Sequence, residues 1–212
     1  MRAGFSTPLR VGPRLIWDVA IKPRWVLGTF LPNLMRGMPH FENSDAVRGA
    51  PNISKQAARD FGRKDHLNWD HLALMRDLWP GKLMLKGVIA PADVAQARAL
   101  GCDAVVLSNH GGRQLDHAIS LQCILSEARE QAGDMALLID GGIRRGTDVI
   151  KALALGTDMV LVGRPFLYAA TLGGQPMVER AAEVLKAEVH RNLGLSGLRD
   201  LSEIGPGLLH PV

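Results

Sequence analysis

From about Trp69 onward, short apolar runs alternate with amphipathic segments, and this alternation restricts the chain to very few folds. Leu83–Val88, Ala104–Leu107, Met135–Ile139 and Met159–Val162 are rich in aliphatic residues and read as strands. Around them lie helical patterns. One runs through Trp69, Leu72, Leu74, Met75 and Leu78 and stops at Pro80-Gly81. Another spans Pro91–Leu100, opened by its proline and followed by Gly101. Ser120–Gln131 and Thr147–Leu155 follow, the latter stopped by Gly156. A helix near Pro165–Leu172 precedes a long one over Gln175–Leu193, in which Ala181, Ala182, Val184, Leu185 and Val189 share a face. Strand–helix units of roughly 30 residues demand parallel strands joined by crossovers, so the fold class is α/β. No repeat of sequence beyond this structural period is expected.

Residues 1–65 read differently, as a loop segment with short helices near Pro13–Ile21 and Arg24–Leu31 and a long loop over 37–65. The expected division is therefore 1–65 and 66–212. With 47% hydrophobic and 22% charged residues the composition is that of a globular protein. A net charge of +4, with no dense Lys/Arg block, gives no reason to expect nucleic acid as a partner. Cys102 and Cys123 have neither CxxC spacing nor a His/Cys cluster nearby, which points to a reducing compartment and no metal. Arg2, Arg10 and Arg14 interrupt any secretory h-region, and no apolar run approaches the ~20 residues of a membrane span. The expected location is cytoplasmic.

The chemistry gathers where the strands end. The tips read Leu85-Lys86-Gly87, Ser108-Asn109-His110, Asp140-Gly141-Gly142 and Gly163-Arg164-Pro165. In a parallel barrel such tips share one face, where ligands bind. Lys86 follows apolar residues in a strand expected to be buried, so its ammonium should meet an anion or an electron-rich ring; snorkelling off the strand end is the alternative. Gly141 and Gly142 let backbone N–H groups approach a phosphate, a helix start follows, and Arg144 adds a charged fork. Gly163 and Arg164 repeat that pattern, with tight turns as the plainer explanation of the glycines. Arg145 could instead face solvent.

His110 and Arg113 flank Gly111-Gly112, so both can point into one pocket. A guanidinium forks a carboxylate, and an imidazole, titrating near pH ~6.5 when free, accepts a proton at neutral pH. His110 capping the turn is the alternative. His66, His71, His117 and His190 lack such a setting, and Asp116 is expected to brace the loop.

Taken together, Leu-Lys-Gly, Ser-Asn-His-Gly-Gly-Arg-Gln-Leu-Asp (108–116), Asp-Gly-Gly-Ile-Arg-Arg-Gly-Thr-Asp (140–148) and Gly-Arg-Pro resemble the FMN-dependent α-hydroxy-acid dehydrogenases and oxidases, a family of lactate, mandelate and glycolate enzymes. The resemblance is tight from Trp69 to Glu203 and covers the C-terminal half of the family's TIM (β/α)8 barrel. It implies FMN as cofactor and oxidation of an L-2-hydroxy acid to the 2-oxo acid. Lys86 should neighbour the flavin N1/O2 edge and Ser108 should contact the flavin. His110 should be the catalytic base, binding substrate together with the carboxylate clamp Arg113. Asp140 should hold the ribityl chain, with Gly141, Gly142, Arg144, Gly163 and Arg164 around the phosphate. A quinone, a cytochrome or oxygen should reoxidise the flavin.

The family's first four strands supply further flavin contacts, another arginine, a tyrosine and an aspartate that orients the base; the chain contains no match to them. It therefore reads as a truncated half-barrel, with a homo-oligomer expected once the barrel is completed. Trp17, Trp25, Phe30, Lys22, Arg24 and Arg36 mix aromatic and basic groups, as a peripheral contact at the inner face of a membrane would need; a helix packed on the barrel is the other reading. Three rivals to the dehydrogenase reading are a non-catalytic fragment that keeps an FMN/phosphate site, an oxidase using oxygen, and a phosphate-binding barrel enzyme without flavin chemistry.

Overall fold

The computed structural model describes residues 11–40, 49, 51, 66–113 and 115–209. Two compact units are formed, Met1–Leu67 and Asn68–Val212.

In the first unit, Pro13 opens helix α1 (Pro13–Ala20). Helix α2 (Pro23–Trp25) runs through a π turn at Val26–Phe30 into α3 (Leu31–Arg36), so helix extends beyond the expected Leu31. Trp25 stacks on Phe30 across that turn with ring centroids 5.6 Å apart. His40 forms an antiparallel bridge with Pro51. Most of the loop expected over 37–65 lies outside the described residues.

The second unit opens with α4 (Trp69–Leu78), capped by the Asn68 side chain, which accepts the His71 N–H. Strand β1 (Met84–Val88), α5 (Pro91–Ala99), β2 (Ala104–Leu107), α6 (Leu125–Ala132), β3 (Ala136–Asp140), α7 (Gly146–Ala154), β4 (Met159–Leu161) and α8 (Arg164–Leu195) follow. The strands form one parallel sheet in the order β1-β2-β3-β4, which is a partial (β/α)8 barrel. The helix expected from Ser120 starts as a 3₁₀ turn (Leu121–Ile124) and becomes α only at Leu125. The two C-terminal helices are the two segments of α8, separated by non-helical backbone at Gly173 and Gly174.

Alternate strand residues serve two faces. Val105, Leu107, Leu137 and Ile139 pack against the helices with Val94, Ala97, Leu125 and Ala128. Ala104, Val106 and Leu138 face the other way, toward the barrel axis, with Leu161 beside them. One expectation fails here: β1 is buried only at Val88. Met84 is 53% exposed, because β1 pairs with β2 alone and so forms one edge of the sheet among the described residues.

A sequence repeat, not anticipated above, organises the sheet. Ala99-Leu-Gly-Cys-Asp103 and Ala154-Leu-Gly-Thr-Asp158 each lead from a helix into a strand. The Asp103 N–H donates to the Leu83 carbonyl at 2.9 Å, and the Leu83 N–H returns to Asp103 Oδ2 at 2.9 Å. The Asp158 N–H donates to the Leu137 carbonyl at 2.9 Å, and the Leu137 N–H returns to Asp158 Oδ2 at 2.8 Å. An arginine completes each clamp, Arg76 on Asp103 at 3.2 Å and Arg129 on Asp158 at 3.0 Å. Both guanidiniums also donate to carbonyls in the turns that follow their own helices, Arg76 to Gly81 and Arg129 to Met135.

The clamps differ in two useful ways. Lys82 adds a second cation to Asp103 at 2.6 Å, and that bond together with the Leu83 N–H lowers its carboxyl from 3.8 to about 2. The contribution of the ionised form is therefore complete above about pH 4 and lost as pH falls through about 2. Asp103→Asn should lower Tm at neutral pH, with the gap to wild type closing between about pH 4 and pH 2; thermal melts across that range measure it. Thr157 occupies the place of Cys102 in the repeat, and its buried Oγ1 finds no hydrogen-bond partner among the described residues. Thr157→Val keeps the shape and removes the orphan hydroxyl, so urea unfolding should show stability unchanged or raised by up to about 1–3 kcal/mol.

Candidate functional site

The register of the sheet decides which side chains meet at its C-terminal end. Lys86, Val106 and Leu138 are successive partners across β1, β2 and β3, so Lys86 shares the axial face. One pleat further on, Ser108 and Asp140 project to the same side. A bulge between Lys86 and Val88, where Gly87 takes φ +103°, ends the regular pairing of β1 at this level. Lys86 and Asp140 form an ion pair through Nζ and Oδ2. The buried Ser108 hydroxyl donates to the same Oδ2 at 3.3 Å and accepts the His110 N–H at 3.2 Å. A chain of contacts thus runs from Lys86 through Asp140 and Ser108 to the backbone of His110.

His110 sits in the left-handed region at φ +54°, a conformation that costs a non-glycine residue free energy and is held by its surroundings. Asn109 supplies much of that hold. Its Oδ1 accepts the Gly111 N–H at 3.0 Å, and its amide donates to the Ile119 carbonyl at 3.1 Å, tying both ends of the loop after β2. Asp116, expected to brace this loop, is exposed and, among the described residues, accepts from its neighbour, the His117 N–H, at 3.2 Å. Nothing in the local sequence pattern distinguishes Asn109 for this task.

A cleft of about 250 Å³ opens over the tips of β2, β3 and β4. His110, Arg113, Asp140, Gly141, Gly142, Arg144, Gly163 and Arg164 all line it. Lys86 and Ser108 do not; they meet the cleft through Asp140. The Arg164 guanidinium also donates to the Gly111 carbonyl, joining the loop after β4 to the loop after β2. The lining holds three guanidiniums and one carboxylate, and that carboxylate is already engaged by Lys86, so the cleft selects anions. Among the described residues no His/Cys/Asp/Glu cluster could hold a metal ion.

Arg145, next to the cleft residue Arg144, turns away and pairs with Glu188 of α8 at 2.8 Å. Glu188 and Asp148 both bind backbone of the loop that links β3 to α7, and sequence pattern pointed to neither in that role.

A family profile described as FMN-dependent dehydrogenase matches residues 1–211. The chain belongs to the FMN-dependent dehydrogenase family. It is 38% identical to (S)-mandelate dehydrogenase of Pseudomonas putida over 206 residues, which cover 97% of this chain and 51% of that protein. Among solved structures, the monotopic membrane protein (S)-mandelate dehydrogenase superposes with a TM-score of 0.83 at 36% identity, covering 97% of this chain and 54% of that one. A flavocytochrome b2 variant with pyruvate bound gives 0.66 at 37% identity, over 75% and 40% of the two chains. A mandelate oxidase variant with an FMN adduct gives 0.63 at 37%, over 72% and 48%. The chain spans about half the length of these relatives.

The family cofactor is FMN, and the donors present suit it. Arg144 and Arg164 meet Gly141, Gly142 and Gly163 in one cleft, which supplies charge and closely approachable backbone for a phosphate. The Lys86 ammonium, paired with the cleft residue Asp140, adds a cation suited to an electron-rich ring.

Proposed function

We propose that the protein binds FMN and takes part in oxidising an L-2-hydroxy acid of the lactate or mandelate type to the 2-oxo acid. The observation that carries this reading is the opening of His110 and Arg113 onto the same cleft as the two Gly-Arg phosphate loops. Phosphate binding alone does not require that pair or Lys86, which speaks against a phosphate-binding enzyme without redox chemistry.

Arg144 and Arg164, with the N–H groups around Gly141, Gly142 and Gly163, would hold the FMN phosphate. Asp140 would take the ribityl chain, and Lys86 and Ser108 would lie at the ring, where the ammonium offsets negative charge. FMN, when bound, supplies the acceptor for the two electrons of the oxidation. Arg113 pairs with the substrate carboxylate, which orients the hydroxyl-bearing carbon toward His110. The substrate loses two electrons and two protons on becoming the 2-oxo acid, and His110 takes up one of those protons as general base. The left-handed backbone at His110, braced by Asn109 and Ser108, holds the residue that lines the cleft. A quinone, a cytochrome or oxygen would reoxidise the flavin; the relatives' names include a dehydrogenase, a flavocytochrome and an oxidase.

The test is reconstitution with FMN followed by anaerobic addition of L-mandelate or L-lactate. Bound flavin should bleach. His110→Ala should keep flavin and slow bleaching roughly 10²–10⁴-fold, and Arg113→Met should raise the half-saturating substrate concentration roughly 10–100-fold. Flavin that binds but never bleaches would leave the binding-only fragment as the surviving description, and absence of binding would remove the cofactor assignment altogether.

We infer also that the stretch from α1 to α3 lies against an anionic membrane surface. No helix among the described residues is long and apolar enough to cross a membrane. Ile16, Trp17, Leu27, Leu34 and Met35 are nonetheless exposed on this helical run, where Arg14, Lys22, Arg24 and Arg36 outnumber Asp18. Apolar anchors with basic neighbours suit an interfacial helix, and the relative with the TM-score of 0.83 is itself a monotopic membrane protein. The chain should sediment with phosphatidylserine-containing liposomes and be released by Trp17→Glu; recovery wholly in the supernatant contradicts the assignment.

A further inference from the structure

Glu188 has no part in the reading above. It lies in the second segment of α8, its side chain only 17% exposed, and it does not line the phosphate cleft. Its Oε1 takes the Arg145 guanidinium at 2.8 Å, and its Oε2 accepts the Gly146 N–H at 2.8 Å. That N–H belongs to the first residue of α7, one of the donors a helix cannot satisfy internally. A Cβ on Gly146 would stand 2.6 Å from the Val189 nitrogen and 2.7 Å from the Glu188 carbonyl carbon, so α7 and α8 meet backbone to backbone at this point. Asp148 Oδ2 accepts the Arg144 and Arg145 N–H groups, each at 2.9 Å. Two carboxylates therefore hold three consecutive peptide groups at the exit of the loop whose Gly141, Gly142 and Arg144 face the cleft.

The arrangement is unusual in its sign. A carboxylate close behind an anion site opposes anion binding by Coulomb repulsion. Arg145 offsets that charge, and its bond to Glu188 keeps the carboxyl below the usual carboxylate range. What remains is a mechanical role. We propose that Glu188 is a positioning residue for the phosphate site: by fixing Gly146 and Arg145 it holds the exit of the 141–146 loop, so that Arg144 and the glycine N–H groups converge on the FMN phosphate. The inference rests on the reading of this cleft as the FMN phosphate site.

Charge and positioning predict opposite outcomes, which makes the proposal testable by FMN titration followed through quenching of flavin fluorescence. If Glu188 acts only through its charge, Glu188→Ala tightens FMN binding. If it positions the loop, Glu188→Ala weakens binding, by roughly tenfold for the loss of two charge-assisted bonds. Glu188→Gln keeps an oxygen for the Gly146 N–H and should restore Kd to within roughly threefold of wild type. A Gln variant as weak as the Ala variant overturns the Gly146 bond as the effective contact. An Ala variant that binds as tightly as wild type, or more tightly, overturns the proposal. Should the Ala variant show no cooperative melt, Glu188→Asp takes its place, since it keeps the charge but shortens the reach; weakened binding supports the proposal and unchanged Kd overturns it. A wild-type chain that binds no FMN fails differently, because it removes the phosphate-site reading and this inference with it.

Discussion

At two of the four helix-to-strand turns an aspartate ties the incoming strand to its neighbour, and the placement of the site residues depends on that tie. Burying aliphatic side chains drives strands together, and a slip of one residue would turn every side chain of a strand to the opposite face. Asp103 and Asp158 remove that freedom. Asp103 exchanges its N–H and its carboxylate with Leu83, just before β1, and Asp158 does the same with Leu137, the second residue of β3, while an arginine from a preceding helix holds each carboxylate in place. With register set at the entry to the strands, Lys86, Ser108 and Asp140 arrive on one face at the exit.

At that exit the charge balance has a simple logic. Asp140 is the one acidic side chain in the lining of a cleft that holds three guanidiniums, and it faces Lys86 rather than the arginines. Arg113 and Arg144 therefore face the cleft without an acidic partner in its lining, while Arg164 also ties the loop after β4 to Gly111 beside His110.

Much of this was legible in the chain before any coordinates. Alternating apolar runs and helices specify parallel strands because side-chain period and element length are local properties, and the decorated tips are visible as sudden changes of residue type. Ser108, His110, Arg113, Asp140 and Arg144 stood out for that reason. Features that depend on partners far along the chain did not. Asn109 and Asp148 look like ordinary turn and helix-start residues, and Glu188 like an exposed helix position, until the loop and the helix they bind are in place. The exposure of β1 was missed because an apolar run reveals that a strand wants neighbours, and not how many it has. The repeated Ala-Leu-Gly-x-Asp was overlooked because its meaning lies in a carboxylate accepting an N–H from another strand.

The link between Glu188 and Gly146 also bears on the order in which the site matures. The strands and their tips arise from consecutive units, whose contacts can form as each unit is added. The loop after β3 is different: its final restraint comes from a residue 42 positions downstream, carried by the last long helix. During synthesis the glycines and Arg144 emerge first and have their glutamate only when α8 has docked. Docking of α8 adds the Glu188 bond to a turn that Asp148 already holds locally, so the proposed affinity for FMN would also report whether the C-terminal helix has reached its place.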